Sequence, residues 1–270
     1  MKNKKNNGRT GSVIFAKHSL GQHFLLDKNI TRKIVNQVSD LSLSNIIEIG
    51  PGHGTLTRAL LEAGAKEVWA IEKDQRLIEP LQLLSKEFSG RLHVIHEDAL
   101  KIDASSICPE PRQIVSNLPY NVGTELFIRW LHQIHAYQSM TLMFQKEVAD
   151  RIIAQPFTKQ YGRLSVISQF LMHSKKLFDL PPSAFVPPPK VHSSVVQLKP
   201  NLIIERIPLL EKIEKITAAG FGNRRKMLRQ SLKSLTPHLS EWLKNCDVPE
   251  TARAEEVSIE KFFLLAKSLT

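Results

Sequence analysis

The chain has 270 residues, 42% hydrophobic and 23% charged, which is the composition of an ordinary folded protein and excludes a disordered one. Its 37 Lys and Arg against 26 Asp and Glu leave a formal net charge of +11, which points to a polyanionic partner, nucleic acid first. No apolar run approaches the roughly 18 residues a membrane span needs, and Cys108 and Cys246 have no metal-ligand spacing, so free thiols in a reducing cytoplasm are expected.

Residues 1–17 read as a basic flexible tail, and Val13-Ile14-Phe15-Ala16 is too short for a secretory core. Residues 18–200 alternate strand and helix patterns, which predicts an α/β domain around a parallel sheet. Ile30, Ile34, Val35 and Val38 have helical spacing, and Ile46-Ile47-Glu48-Ile49 is a short buried strand ending at Gly50. Leu56, Leu60 and Leu61 mark a helix, Val68 to Glu72 the second strand, and Leu77 to Leu84 the next helix. Leu92 to Ile95 and Gln113 to Ser116 are strands, Leu126, Phe127, Trp130 and Leu131 form a helical face, and Met140 to Phe144 is the fifth strand. Trp69 and Trp130 fall on apolar faces and are assigned to the core. Five of the 15 prolines crowd into 181–189, a stiff extended loop. Val191 to Leu198 is a late strand, and Pro200 closes the domain. Residues 201–270 predict a smaller helical domain with helices over Leu209–Phe221, Arg225–Leu235 and Ile259–Leu269.

Gly50-Pro51-Gly52-His53-Gly54 sits where the first buried strand gives way to a helix. Glycines there allow a tight turn and close backbone approach to a ligand. Glu72 ends the next strand, 22 residues beyond Gly50, where a carboxylate can accept both hydroxyl protons of a ribose. Asp98 follows the third strand, placed to reach an adenine edge. The spacing is G-x-G-x-G rather than the G-x-G-x-x-G of dinucleotide sites, and Pro51 removes a donor that a pyrophosphate would use. An adenosine ligand without phosphate, S-adenosylmethionine, fits better than a nicotinamide cofactor, and no hydride-positioning site accompanies the turn. A glycine turn alone is weak; the acids at successive strand ends strengthen it.

Asn117-Leu118-Pro119-Tyr120 follows the fourth strand, at the sheet end where open α/β sheets bind ligands. The tetrad suits methylation of an exocyclic amine. An adenine amino nitrogen is a poor nucleophile because its lone pair is delocalised into the ring. Acceptors on its two N–H groups, the Asn117 side-chain oxygen and the Leu118 carbonyl, would favour a pyramidal nitrogen. Pro119 stiffens the turn, and Tyr120 offers an aromatic face, rather than its hydroxyl, to a flipped base. Positioning and electrostatics then carry the rate without a strong base.

These residues resemble the ribosomal RNA adenine N6-dimethyltransferase family, in particular its bacterial small-subunit members, from about His18 to the C-terminus. The resemblance rests on Leu20-Gly21-Gln22-His23-Phe24-Leu25, Glu48 to Gly54, Asn117 to Tyr120, Leu142 to Val148, Tyr161 to Val166, Pro182 to Val191, and Phe221 to Arg225. It implies a Rossmann-like methyltransferase fold and S-adenosylmethionine as cofactor. It implies cofactor contacts at His23, Leu25, Gly50, Gly52, Glu72, Asp98 and Asn117, and a second aromatic face against the base at Phe185. The implied substrate is a pair of adjacent adenosines in a hairpin loop near the 3′ end of 16S rRNA, dimethylated in the 30S pre-subunit by a cytoplasmic monomer. His23 departs from the family's usual asparagine; a neutral imidazole can donate to a cofactor carboxylate through one nitrogen.

Arg224, Arg225, Lys226, Arg229 and Lys233 put five cations in ten positions, with Arg225, Arg229 and Lys233 on one face of the predicted helix. A solvated face is the ordinary reading of such a run; together with the resemblance it reads as an rRNA-phosphate surface, joined by Lys190, Lys159, Arg163, Lys175 and Lys176 beside the base pocket. The ten histidines show no zinc spacing, and no metal is expected. Two alternatives share the fold. One is a methyltransferase of 23S rRNA of the antibiotic-resistance type, and the other a non-catalytic RNA-binding assembly factor, against which the intact tetrad argues.

Overall fold

The computed structural model describes residues 16–17, 21–201 and 203–269, so most of the basic tail, with His18 and Leu20, lies outside the described residues. The chain runs β1 (Phe24–Leu25), α1 (Lys28–Val35), β2 (Asn45–Ile49), α2 (Thr55–Glu62), β3 (Glu67–Glu72), α3 (Gln75–Glu87), β4 (Leu92–His96), β5 (Arg112–Asn117), α4 (Gly123–His132) and β6 (Ser139–Gln145). It continues through α5 (Lys146–Ile153), α6 (Arg163–Leu171), β7 (Met172–Leu180), β8 (Phe185–Val186) and β9 (Ser193–Pro200). Four helices follow: α7 (Leu210–Gly222), α8 (Leu228–Ser231), α9 (Leu239–Asn245) and α10 (Ile259–Ser268).

A seven-stranded sheet in the order β4-β3-β2-β5-β6-β9-β7 forms the frame. Strands β4, β3, β2, β5 and β6 pair in parallel, and β9 enters antiparallel between β6 and β7. All five residues of β2 are buried, as expected of a parallel strand covered on both faces. The order reverses between β2 and β5, so the strand ends there diverge and leave a crevice. A dinucleotide-binding sheet of order 3-2-1-4-5-6 has no reversed strand; here β9 is one. The two-residue strands β1 and β8 pair antiparallel, Phe24 opposite Val186 and Leu25 opposite Phe185, and clasp the N-terminal segment to the proline-rich loop.

The C-terminal helices share one continuous apolar core with the α/β part: Phe170 and Leu171 of α6 cluster with Ile213, Ile216, Leu243, Phe262 and Leu265. Buried Arg206 stitches the seam, its guanidinium 5.4 Å and 5.3 Å from the ring centres of Phe170 and Phe263.

Most predicted elements appear within a few residues of their expected bounds. The helix predicted over Arg225–Leu235 does not. Helix α7 ends at Gly222, Met227 is extended and bridges Arg253, and only Leu228–Ser231 is helical. Pairing Met227 with Arg253 breaks the i,i+4 register, so Arg225, Arg229 and Lys233 do not share a helix face. Trp130 is buried as expected, whereas Trp69 is half-buried and stacks on His93 at 4.0 Å. Both cysteines are buried free thiols. No helix among the described residues is long and apolar enough to cross a membrane.

Candidate active site

His23, Leu25, Gly50, Gly52, Glu72, Asp98 and Asn117 line one cleft together with Leu118, Pro119 and Tyr120. It lies at the carboxyl ends of β2, β3, β4 and β5 and measures about 1070 Å³ with its open mouth counted. Gly50 and Gly52 hold φ of +65° and +59°, a left-handed backbone that side chains rarely adopt. A Cβ on Gly52 would stand 2.8 Å from the Phe24 ring, so glycine here lets β1 close over the turn.

Acids set the electrostatics of the floor. Glu72 accepts from the Gly52 N–H at 3.2 Å and the Asp74 N–H at 2.7 Å, which ties the carboxylate to the glycine turn. Burial pushes its pKa up, and those N–H groups oppose the shift. Glu48, deeper in β2, accepts from the Thr57 hydroxyl at 2.6 Å; burial, with the Glu72 charge adding to it, lifts its pKa to about 8. Asp98 at the rim pairs with Lys73 at 2.7 Å, which pulls its pKa down. Asp74 caps α3 and takes bonds from Arg76 and from the Gln22 amide, and the Arg76 contact holds it well below the usual carboxylate range. The Gln22–Asp74 bond fastens the N-terminal segment across the cleft.

The Asn117 amide nitrogen donates to the His23 carbonyl at 3.1 Å. Its oxygen is thereby turned the other way, as an acceptor must be. The His23 Nδ1 lies 2.8 Å from the Pro187 carbonyl, which can only accept. Nδ1 therefore carries a proton, and in the neutral form of the ring Nε2 is left as an acceptor. The expected donation from neutral His23 to a cofactor carboxylate is thus corrected: its donor is spent on Pro187. The Tyr120 ring leans on His23 at 5.3 Å between centres, and its hydroxyl bonds Ser193 of β9. That hydroxyl anchors the ring to the reversed strand, contrary to the expectation that only the ring face is used.

Phe185 is not on the cleft wall. It is 2% exposed, opposite Leu25 in the β1–β8 clasp, and packs among Leu25, Ile34, Leu180 and Val195. The expected aromatic face at Phe185 is therefore replaced by a packing role, because the clasp turns this ring inward.

The cations divide. Lys190, Arg225, Lys226, Arg229, Lys159, Arg163 and Lys175 are exposed. Arg224 is exposed too but pairs with Glu255, and Lys176 pairs with Asp150 at 2.8 Å and Asp179 at 3.5 Å, which removes it from the free set. No metal-holding group of His, Cys, Asp or Glu occurs among the described residues.

Residues 15–270 match the sequence profile described as Ribosomal RNA adenine dimethylase. The chain belongs to the ribosomal RNA adenine dimethylase family. Within this family it is 49% identical over 258 residues to a protein named Ribosomal RNA small subunit methyltransferase A from Ruegeria sp. (strain TM1040), spanning 94% of this chain and 92% of that protein. It is 51% identical to the protein of the same name from Paracoccus denitrificans (strain Pd 1222), over 94% and 91% of the two chains. A dimethyladenosine transferase from Plasmodium falciparum superposes with a TM-score of 0.76 at 25% identity, covering 90% of this chain and 96% of that one. The 23S rRNA methyltransferase ErmE follows at 0.69 and 25%, covering 91% and 99%. Residues that the sequence reading missed are structural partners of the site: Gln22, Asp74, Lys73 and Ser193. Asp74 also bonds its near neighbours Glu72 and Arg76, but the contacts Gln22–Asp74, Lys73–Asp98 and Tyr120–Ser193 join residues 52, 25 and 73 positions apart, which spacing does not signal.

Proposed function

We propose that this protein dimethylates the N6 amino groups of two adjacent adenosines in a hairpin loop near the 3′ end of small-subunit rRNA, acting in the cytoplasm as a monomer on the 30S pre-subunit. The observation that carries the reading is the convergence in one cleft of an adenosine-binding set and an amine-positioning tetrad, in a chain about half identical to proteins named for the small subunit. The 23S-directed alternative is weaker, because likeness to ErmE stops at 25% identity.

The cleft fits S-adenosylmethionine: the left-handed Gly50-Gly52 turn leaves room for close approach, and the Glu72 and Asp98 carboxylates stand at successive strand ends. Glu72 would hold the ribose hydroxyls, Asp98 the adenine, and Gly50, Leu25, His23 and Asn117 the amino-acid end. S-adenosylmethionine supplies an electrophilic methyl group on a sulfonium. Asn117 Oδ1 and the Leu118 carbonyl accept from the target amine and localise its lone pair. Tyr120, braced by Ser193 and His23, stacks the flipped base. The alkylated nitrogen is acidic and releases its proton without a strong base. The helical residues 201–270, with Arg224, Arg225, Lys226 and Arg229, and Lys190 on the proline-rich loop, carry the phosphates.

The test is methylation of purified small subunits from a strain lacking the endogenous enzyme, with large subunits in parallel and primer extension to map the product. Two adjacent blocked adenosines in 16S rRNA are expected; label confined to 23S rRNA would refute the assignment.

A further inference from the structure

Phe157 stands outside the cleft, on the loop between α5 and α6. It is 78% exposed, and its φ is +67°, a left-handed conformation that a bulky residue rarely adopts. The conformation is imposed by its surroundings. The Phe157 N–H donates to the Glu255 carbonyl at 2.9 Å, Arg224 pairs with Glu255 and donates to the Thr158 carbonyl at 3.3 Å, and the buried Tyr161 hydroxyl donates to the Val257 carbonyl at 2.8 Å. The loop is thus bolted to the C-terminal part of the chain at three points, and the bolting holds an aromatic ring out in water.

Neither feature serves folding. An exposed ring removes little apolar surface from water, and a left-handed phenylalanine stores strain. Glycine would fit this backbone with none. Around the ring the loop is polar and basic: Thr158, Lys159 and Gln160 are exposed, Arg163 opens α6, and Arg224 ties the loop to the turn that carries Arg225 and Lys226. A flat ring rimmed by cations is how proteins hold an unpaired base with phosphates on either side. A hydrophobic protein partner would instead meet several apolar side chains, and those are lacking along 157–160.

We infer that Phe157 is a second stacking platform, taking an unpaired nucleobase of the ribosomal RNA while Lys159, Arg225 and Lys226 hold the flanking phosphates. The inference rests on the rRNA reading above and adds a contact point distant in the chain from Tyr120. The rigid loop means that the ring is positioned before the RNA arrives, so little ordering entropy is lost on binding.

Three variants test it: Phe157→Gly, which removes the ring and relieves the backbone, Phe157→Leu, which keeps apolar bulk, and Phe157→Trp, which keeps a stacking face. Affinity for unmethylated small subunits and for their isolated rRNA is measured by filter binding at two salt concentrations, with thermal unfolding and S-adenosylmethionine calorimetry alongside. Phe157→Gly and Phe157→Leu should bind on the order of tenfold more weakly, with an unchanged salt slope because every phosphate-binding cation is retained. Phe157→Trp should bind like the wild type. Cofactor affinity should stay level, and Phe157→Gly should unfold at the same or a higher temperature. Wild-type RNA affinity in Phe157→Gly overturns the inference. So does full affinity in Phe157→Leu, or self-association of the wild type that Phe157→Gly abolishes, since those outcomes make the ring an apolar protein contact. Should the wild type leave small subunits unmethylated, the functional reading falls, and RNA affinity still decides Phe157.

Discussion

Glu48 turns the site's electrostatics into a stability measurement. The residue is 2% exposed, and burial raises its pKa from 4.5 to about 8. The folded protein therefore holds this proton more tightly than the unfolded chain does. Below the ordinary value both states are protonated, and stability is complete. As pH rises from 4.5 toward 8 the unfolded chain ionises first, and each pH unit withdraws about 1.4 kcal/mol from folding. Across that interval the loss sums to roughly 4–5 kcal/mol, an appreciable part of the ~5–15 kcal/mol by which domains are stable. Above pH 8 both states are ionised and the loss is constant. Glu48→Gln keeps the volume and the acceptor for Thr57 but cannot ionise. Urea unfolding followed by tryptophan fluorescence, without cofactor, should give stabilities within about 1 kcal/mol of each other at pH 5. The variant should then lead by a gap that widens to pH 8. Parallel stability curves would refute the argument, because Glu48 would then be ionised in both states and its burial would carry no penalty.

Glu72→Ala should weaken S-adenosylmethionine binding by about 1.5–3 kcal/mol, the scale of hydrogen bonds to a charged group, and calorimetry showing wild-type affinity would sink the role given to Glu72. Charge reversal at Arg225 and Arg229 should flatten the salt dependence of subunit binding by about one unit of log–log slope for each phosphate no longer engaged; an unchanged slope leaves them as solvated cations. In single-turnover methylation at saturating cofactor and subunit, Asn117→Ala should fall on the order of a hundredfold, and a wild-type rate would make Asn117 a structural cap. Tyr120→Ala should lose about 1–3 kcal/mol of base capture. Tyr120→Phe should lose about 1 kcal/mol for the Ser193 bond, an effect that Ser193→Ala should reproduce without adding to it.

How much was legible in the sequence follows from how local each signal is. The parallel strands announced themselves as apolar runs, and the acids and tetrad at their ends needed only strand-end register to converge: Glu48, Glu72 and Asn117 lie on neighbouring strands β2, β3 and β5. The edge strand β7 escaped notice because Met172-His173-Ser174-Lys175-Lys176 has no clean alternation, and an edge strand with lysines is built to discourage further pairing. The basic segment at 225–235 reads as a helix by spacing alone, and only the long-range bridge from Met227 to Arg253 overrides it.

The same distinction explains the three corrections in the site. Roles assigned one residue at a time assume that each side chain faces the ligand. Here the proline-rich loop and the start of β9, some 160 residues beyond the N-terminal motif, come back and take up groups that would otherwise have faced it: Pro187 takes the His23 proton donor, Leu25 faces Phe185 in the clasp, and Ser193 takes the Tyr120 hydroxyl. These three contacts join β1, the turn after β5 and the start of β9 into one wall. The wall depends on every partner, so a change at Pro187 or Ser193 should be felt at the tetrad although neither residue was read as part of it. A binding face made of segments this far apart in the chain is specified by packing, and packing is the part of the code that spacing does not carry.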